Sequence, residues 1–411
     1  MRDIKPLHRD DLTTHTDIAF RSYPSFKDFS TEGKNSFTTR MRTIHNNDPV
    51  QFLGMYEEDQ LLAQMRILTF QMNLFGKVIP VAGLGSLAVD LPYKKQGIAH
   101  KMLQKFEQIA TDQQLALATL LPFSPRFYHE QGYGYGTKLN VYHLATQQLP
   151  RWEADRTLRL ISCHEASALT AFHDQLTNQT HGMAKKMIYE WLDLFQKPEY
   201  QIFASYDDTE KIEGYLCFSF ENAYEHNYTQ NRIVVHELQY THPLVLRKLL
   251  NFLRIQEDQA QTILFKTFLP DIHFLLEEPI AQQPNYIDFG YLQCNTQYLG
   301  NMYKILDIPL WFQQTRHRQY PRINLTVQLL ITGEAPYLVR FQDGHAHLLE
   351  SGKPDITISL ALADFSALFM GVTTVKQLYQ LAVLKLDQPA LLADLDQLLA
   401  IPEPPVCWSD Y

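Results

Sequence analysis

The chain is predicted to be an α/β protein, more closely α+β, built from three successive segments. Its 411 residues exceed the roughly 250–300 that a single hydrophobic core serves. Short strand-like apolar runs alternate with amphipathic helical ones, the pattern of mixed sheets joined by a βαβ crossover. One order of elements, three strands then a helix then a strand, occurs near 51–121 and again near 201–268.

Residues 1–150 begin with amphipathic stretches at Thr16–Tyr23 and Ser36–His45. Strands are expected at Gln51–Tyr56, Leu61–Met72 and Val78–Val89, separated by the turn signals Glu57-Glu58-Asp59 and Phe75-Gly76-Lys77. Beyond Gly97 the apolar residues Ile98, Met102, Leu103, Phe106, Ile109 and Ala110 keep close to the helical period. Leu115–Leu121 then reads as a buried strand. Residues 151–294 repeat the order with strands at Gln201–Tyr206, Ile212–Phe220 and Ile233–Tyr240, a helix at Leu244–Gln256 and a strand at Thr262–Phe268. The second helix follows "YTHPLVLRK", which has no glycine, so this copy is expected to be degenerate. In residues 295–411, "NMYKILDIPLWFQ" suggests a helix, and "INLTVQLLIT", "YLVRFQDG", "AHLLES" and "DITISLAL" read as strands. Helices are expected at Ala363–Phe369, Val375–Ala382 and Pro389–Leu399, before a proline-rich aromatic tail.

Composition narrows the function. A hydrophobic share of 45% with 20% charged residues is that of a soluble globular protein. The net charge of −9 argues against a dedicated nucleic-acid binder and favours cationic partners. Cys163, Cys217, Cys294 and Cys407 form no CxxC pair, and the 16 histidines form no HExxH, so neither a disulfide framework nor a metal site is expected. The start has no apolar stretch of signal-peptide length, and no run approaches 18 apolar residues. A cytoplasmic protein without a membrane span is expected.

The stretch "VDLPYKKQGIAHKMLQKFEQIA", residues 89–110, carries the chemistry. The first four N–H groups of a helix lack partners, and the dipole makes that end electropositive. With Gly97 allowing close approach, the backbone of Lys95, Gln96, Gly97, Ile98 and Ala99 can wrap a pyrophosphate. The strand end at Leu87, Ala88 and Val89 can offer edge hydrogen bonds to an extended amide-rich arm, so coenzyme A suits the pair of features.

The run Lys94-Lys95-Gln96-Gly97-Ile98-Ala99 resembles the Gln/Arg-x-x-Gly-x-Gly/Ala signature of the GNAT acetyltransferases, with Lys94 in place of Gln or Arg. "LLPFSPRFYHEQGYGYG", residues 120–136, together with the three-segment layout and "NMYKILDIP", resembles the Eis (enhanced intracellular survival) family: two tandem GNAT domains and a sterol-carrier-protein-like domain. That resemblance implies acetyl-CoA as co-substrate, an amine acceptor of aminoglycoside- or lysine-like character (small molecule or peptide), and a homo-oligomer, hexameric in that family. It implies that Tyr128 protonates the leaving thiolate, that a backbone N–H near Val89 meets the oxyanion, and that Ser124 lies near the cofactor. It also implies that the C-terminal carboxylate, here of Tyr411, is the general base. The tail would bring Trp408 and Asp410 with it, stiffened by Pro402, Pro404 and Pro405. Asp28, with Tyr23 and Phe26, is a candidate wall of the amine pocket. Two rival readings are a lipid-binding protein acting through residues 295–411 and a longer-chain acyltransferase of the kind N-myristoyltransferases resemble.

Overall fold

The computed structural model describes residues 2–409 apart from Ser25, Lys27, Asp48, 153–157, 225–226 and 283–289. The first elements are β1 (Arg2–Pro6), α1 (Leu12–Ser22), α2 (Thr31–Asn47), β2 (Val50–Glu57), β3 (Gln60–Leu74) and β4 (Lys77–Val89). They are followed by α3 (Ile98–Asp112), β5 (Leu117–Leu120), α4 (Pro125–Glu130) and β6 (Gly134–Tyr135). Next come β7 (Lys138–Ala145), β8 (Leu158–Leu160), α5 (Ala166–Thr177), α6 (Ile188–Gln196), β9 (Gln201–Tyr206) and β10 (Ile212–Tyr224). The second copy closes with β11 (Asn227–Tyr240), α7 (Pro243–Arg254), β12 (Thr262–Thr267) and β13 (Thr296–Leu299). The last stretch holds β14 (Met302–Ile305), α8 (Ile308–Gln314), β15 (Leu325–Ile331), β16 (Tyr337–Gln342), β17 (His345–Leu349) and β18 (Ile356–Leu360). It ends with α9 (Leu362–Phe369), α10 (Val375–Gln380), β19 (Lys385–Leu386) and α11 (Leu392–Leu399).

Three mixed sheets result, with strand orders β1-β2-β3-β4-β5-β14-β6, β13-β7-β12-β11-β10-β9-β8 and β17-β16-β15-β18-β19. In the first, every pairing is antiparallel except β4 with β5, which α3 connects. The second has the same plan, with β11 parallel to β12 across α7. The repeated order read from the sequence is therefore a repeated topology. Each sheet is finished by a strand from elsewhere in the chain: β14 pairs β5, and β7 pairs β12. The chain accordingly divides into two compact units, Met1–Gly136 with Thr177–Tyr189 and Asn301–Tyr411, and Thr137–Leu176 with Glu190–Gly300.

The helix expected across Asn301–Gln313 is confined to α8, and its first half is β14. Asp307 caps α8 by accepting the Leu310 N–H, and Pro309 in the first turn prevents the helix from extending backwards. Met302, Tyr303 and Ile305 are instead buried in the first sheet between β5 and β6. Apolar residues on both faces of a central strand look locally like a helical stripe, which is why periodicity misreads this run.

In the first unit, α3 lays Ile98, Met102, Leu103, Phe106 and Ala110 on one face of the sheet, each such larger side chain contributing ~1.5–3 kcal/mol by burial. The other face packs on α1, α2 and the residues after Asn301, including Trp311 and Phe365. Buried on both sides, β3 reads as nearly continuous apolar sequence, broken by Gln64 and Arg66.

The C-terminal tail is packed down to Ser409. Arg318 donates to the Leu399 carbonyl (3.0 Å), Val406 N–H to the His181 carbonyl (2.9 Å) and Lys186 Nζ to the Trp408 carbonyl (3.4 Å). Pro405 lies so close to Gly182 that a Cβ there would meet it at 2.4 Å. Cys407 and Ser409 are both buried.

His181 holds this region together as a neutral ring. Its Nδ1 accepts the Phe75 N–H, which leaves Nε2 to donate to the Met370 carbonyl at 3.0 Å. Burial lowers its pKa to about 4, against an opposing pull from the Met370 carbonyl. Between the unfolded value near 6.5 and about 4, the unfolded chain binds a proton that the folded one refuses. Stability is thus lost as pH falls through that window, by roughly 3 kcal/mol from this group. Denaturant titrations at pH 7 and 4.5 should show a smaller acid loss for His181→Gln than for the parent chain; equal losses would remove His181 from the account.

Candidate active site

The site begins where β4 loses a neighbour. β4 pairs with β5 through Ala82, Gly83 and Leu84 only, whereas it keeps pairing with β3 as far as Val89. A bulge places Ser86 and Leu87 opposite the single residue Met65, and Ser86 takes a φ of 50°. From Gly85 onward one edge of β4 is therefore open. Asp90 N–H donates to the Leu62 carbonyl on the β3 side, so by strand alternation the Val89 N–H faces the open edge. α1 meets the same edge: Tyr23 Oη donates to the Leu87 carbonyl (2.6 Å) and Ser22 Oγ to the Val89 carbonyl (3.1 Å). Arg21 clamps the strand end through two 2.9 Å bonds to Asp90, which also accepts the Leu91 N–H.

Past Asp90 the chain turns into α3. Lys95 and Gly97 have φ of 63° and 74°, and Gly97 is the N-cap. A side chain on Gly97 would meet nothing within 4 Å, so the glycine serves backbone conformation and open approach, not packing. Lys94, Lys95, Gln96 and Gly97 are exposed, Ile98 is buried and Ala99 half-buried. The exposed helix mouth thus fits a phosphate-bearing ligand, with its backbone amides as donors. The Gln96 side chain is tied to Arg2, at 2.9 Å.

At the start of the same open edge lies a cavity of about 250 Å³. Tyr23, Phe26, Phe37, Phe123 and Tyr128 form aromatic walls, Leu84, Ser86 and Leu87 present β4, and Arg40 and Arg66 bring positive charge. Tyr128 sits on α4, its ring edge-on to Phe127 and Tyr133. Burial pushes its pKa up to about 12, so the phenol is protonated throughout the physiological range. His15, buried beside Arg66, is held neutral, its pKa lowered to about 3 by burial and by the Arg66 charge.

The structure thus brings together Leu87, Ala88 and Val89 of the strand end, Lys94 to Ala99 of the helix mouth, and Tyr128. Ser124 lies at the exposed N-cap of α4, where its side chain makes no capping bond. Asp28 is exposed and its carboxylate accepts the Ser30 N–H at 2.9 Å, while Tyr23 and Phe26, named with it, do line the cavity. Asp410 and Tyr411 lie outside the described residues. Sequence reasoning passed over Arg66, Arg40, Phe37 and Phe123. Arg66 had a signal: a cation within the apolar run of β3 needs a reason to be buried.

The second unit shows what a closed version looks like. Its helix α7 has His242 at the N-cap and Pro243, which lacks an N–H, as its first residue. Beside that mouth, the Glu213 carboxylate accepts from Lys248 Nζ (2.9 Å) and Ser205 Oγ (2.7 Å) and faces His242 Nε2 at 3.4 Å. An internal carboxylate occupies the electropositive environment that the first copy leaves open.

Comparisons with known proteins agree with this geometry. The family described as acetyltransferase (GNAT) domain matches residues 3–136, a second one of the same description matches 182–289, and a sterol carrier protein domain matches 314–408. No curated protein matches the sequence. Among solved structures, a GCN5-related N-acetyltransferase from Anabaena variabilis aligns over all of both chains at 16% identity with a TM-score of 0.82. A probable N-acyltransferase from Enterococcus faecalis aligns over 100% of this chain and 99% of its own, at 19% identity and 0.81. Eis1 from Mycobacterium abscessus aligns over all of both chains at 14% identity and 0.78. The chain is an acetyltransferase of the GNAT class. Its tandem GNAT domains, its sterol-carrier domain and the fold it shares over full length with Eis1 bear out membership of the Eis family. Acetyl-CoA is the co-substrate that such domains imply. No helix of the described residues is long and apolar enough to cross a membrane.

Gly97→Val should abolish coenzyme A binding in a folded protein, because a branched residue is strained at φ 74° and would project into the open mouth. Calorimetric titration should give one site per parent chain and none for the variant. Two equivalent sites, or an unchanged affinity, would refute this assignment of the two helix mouths. Tyr128→Phe should lower turnover by tenfold to ten-thousandfold, the range for a lost general acid, with coenzyme A affinity little changed. Parent-level turnover would leave Tyr128 as a packing residue.

Proposed function

We propose that the chain transfers acetyl from acetyl-CoA directly to a primary amine of a small molecule or peptide held in the cavity beside Tyr128. The observation that carries this reading is the single open edge of β4, with the aromatic cavity at its start and the helix mouth at its end. Acetyl-CoA would supply the reactive thioester, held by the amides of Lys95 to Ala99 and by the edge at Leu87–Val89. Ser124 is the least supported member of this set.

The remaining steps belong to the chain's own groups. The Val89 N–H, facing the open edge, donates to the carbonyl oxygen as charge develops there. Tyr128 donates to the departing sulfur. With a pKa near 12 it is a weaker acid than a free phenol, but a thiolate leaving in the same buried place is desolvated too and correspondingly more basic. As the C–N bond forms and the C–S bond breaks, the amine must lose a proton. We assign that proton to the carboxylate ending the chain at Tyr411, with Asp410 beside it.

Support for the tail's role comes from its packing. Cys407 is near enough to Tyr303 to interact with it electrostatically, and Tyr303 is in register with Thr119, itself in register with Gly83. That row of the sheet adjoins Leu84, a wall of the cavity, and Ser409 is still buried two residues before the end.

A terminal carboxylate of ordinary basicity must sit within ~2.6–3.2 Å of its proton or reach it through one water. One added residue would move it by roughly 3.6 Å. Protein carrying a C-terminal tag, or a single extra glycine, should therefore lose far more turnover than Tyr411→Phe, while coenzyme A binding survives. Matched N-tagged and C-tagged preparations measure this directly, and equal rates would return the terminus to a structural role.

A further inference from the structure

The cavity that faces Tyr128 has a charge pattern of its own. Two guanidinium groups, Arg40 and Arg66, line it, and among its described lining residues there is no carboxylate. Arg66 is 5% exposed and lies on β3 opposite Gly85, next to the bulge at Ser86 and Leu87. The titratable neighbours on which its charge acts, His15 and Tyr23, are both held neutral by burial, so neither cancels it. The rest of the wall is largely aromatic rings. We propose that the natural acceptor is a small amine carrying a carboxylate on an aromatic or apolar body, an aromatic amino acid in its simplest form, with the carboxylate read by Arg66 and Arg40.

Four physical points support this choice. A guanidinium has five N–H donors, so bonds to the protein do not exhaust its capacity for a bidentate carboxylate. At about 250 Å³ the cavity falls below the ~300–1,000 Å³ of drug-sized pockets, which suits an acceptor of amino-acid size. Aromatic walls reward a flat apolar body. Nearby positive charge also favours the neutral form of an amine, the form that attacks, and penalises a polycation. The net charge of −9 points the other way, toward cationic acceptors, but charges more than ~10 Å off are screened in salt whereas the arginines act at contact. In the transfer itself, the nitrogen bonds to the acetyl carbon, the C–S bond breaks, the amine proton passes to the chain's base and the thiolate takes one from Tyr128.

This inference rests on the N-acetyltransferase reading, and the experiment separates the two. Thiol release from acetyl-CoA by the full chain is measured with phenylalanine, phenylalaninamide, phenethylamine, spermidine and kanamycin, and the products are checked by mass. Phenylalanine should exceed phenylalaninamide in kcat/KM by about tenfold to hundredfold, mostly through KM, as expected for one charge-assisted pair. The comparison is stringent, because the amide has the less basic and more often neutral amine. Arg66→Gln should bring that ratio toward one, and Arg40→Gln, at a less buried position, should lower it even if the Arg66 variant folds poorly. If phenylalaninamide or phenethylamine matches the acid, or spermidine or kanamycin is preferred, the carboxylate proposal is overturned while the acetyltransferase reading stands. If none of the five amines is acetylated, both fall.

Discussion

Between Leu84 and Val89, β4 keeps β3 on one side and has no strand on the other. A parallel pair joined by a helix can part only where its hydrogen bonds stop, and here they stop after Leu84–Leu120. The bulge at Ser86–Leu87 bends the strand at that point, and α1 meets the resulting edge through Tyr23, Ser22 and the Arg21–Asp90 pair. The remaining features follow. α3 starts where β4 ends, so its electropositive mouth continues the open edge, and α4 presents Tyr128 to the cavity at the edge's beginning.

Burial sets the electrostatics around that edge. Tyr128, Tyr23 and His15 are all held in their neutral forms, and Arg66 keeps its charge in their midst. A low-dielectric site with one sign of fixed charge is selective, because a ligand must provide the opposite sign or leave the charge poorly solvated. Neutral phenols and a neutral imidazole can donate or accept without adding charge of their own. Proton removal from the amine therefore falls to a group brought from outside this cluster, which is why the packed tail matters to the reaction.

The second unit shows how readily the same topology loses this chemistry. β11, α7 and β12 reproduce the arrangement of β4, α3 and β5. Yet Pro243 removes a donor from the helix mouth, and Glu213 brings a carboxylate to its side. Although burial opposes it, hydrogen bonds from Ser205 and Lys248 hold that carboxyl below its usual range. A fixed internal anion answers the positive end of the helix, leaving less for a phosphate to gain there.

Local signals in the sequence decided a good deal. The strands and helices of both copies, the glycine turn at Gly97 and the apolar stripe of α3 all depend on neighbours within a few residues, so they are legible in the string of letters. Tyr128 was legible only through its motif, since one tyrosine among 22 has no local mark of catalysis. What the tertiary structure alone decided is long-range. It made Met302–Ile305 a strand by burying it between β5 and β6, where a sequence period suggested a helix. It parted β4 from β5, 33 to 36 residues apart, and so made an edge of residues that local pattern marks only as strand. It set Arg66, Arg40 and a ring of phenylalanines around one cavity, while Asp28, which looked like a pocket residue, became a local cap for α2. Hydrophobic period and backbone strain act between near neighbours and leave their trace in sequence, whereas the charge of a cavity is a sum over residues that meet only when the chain is folded.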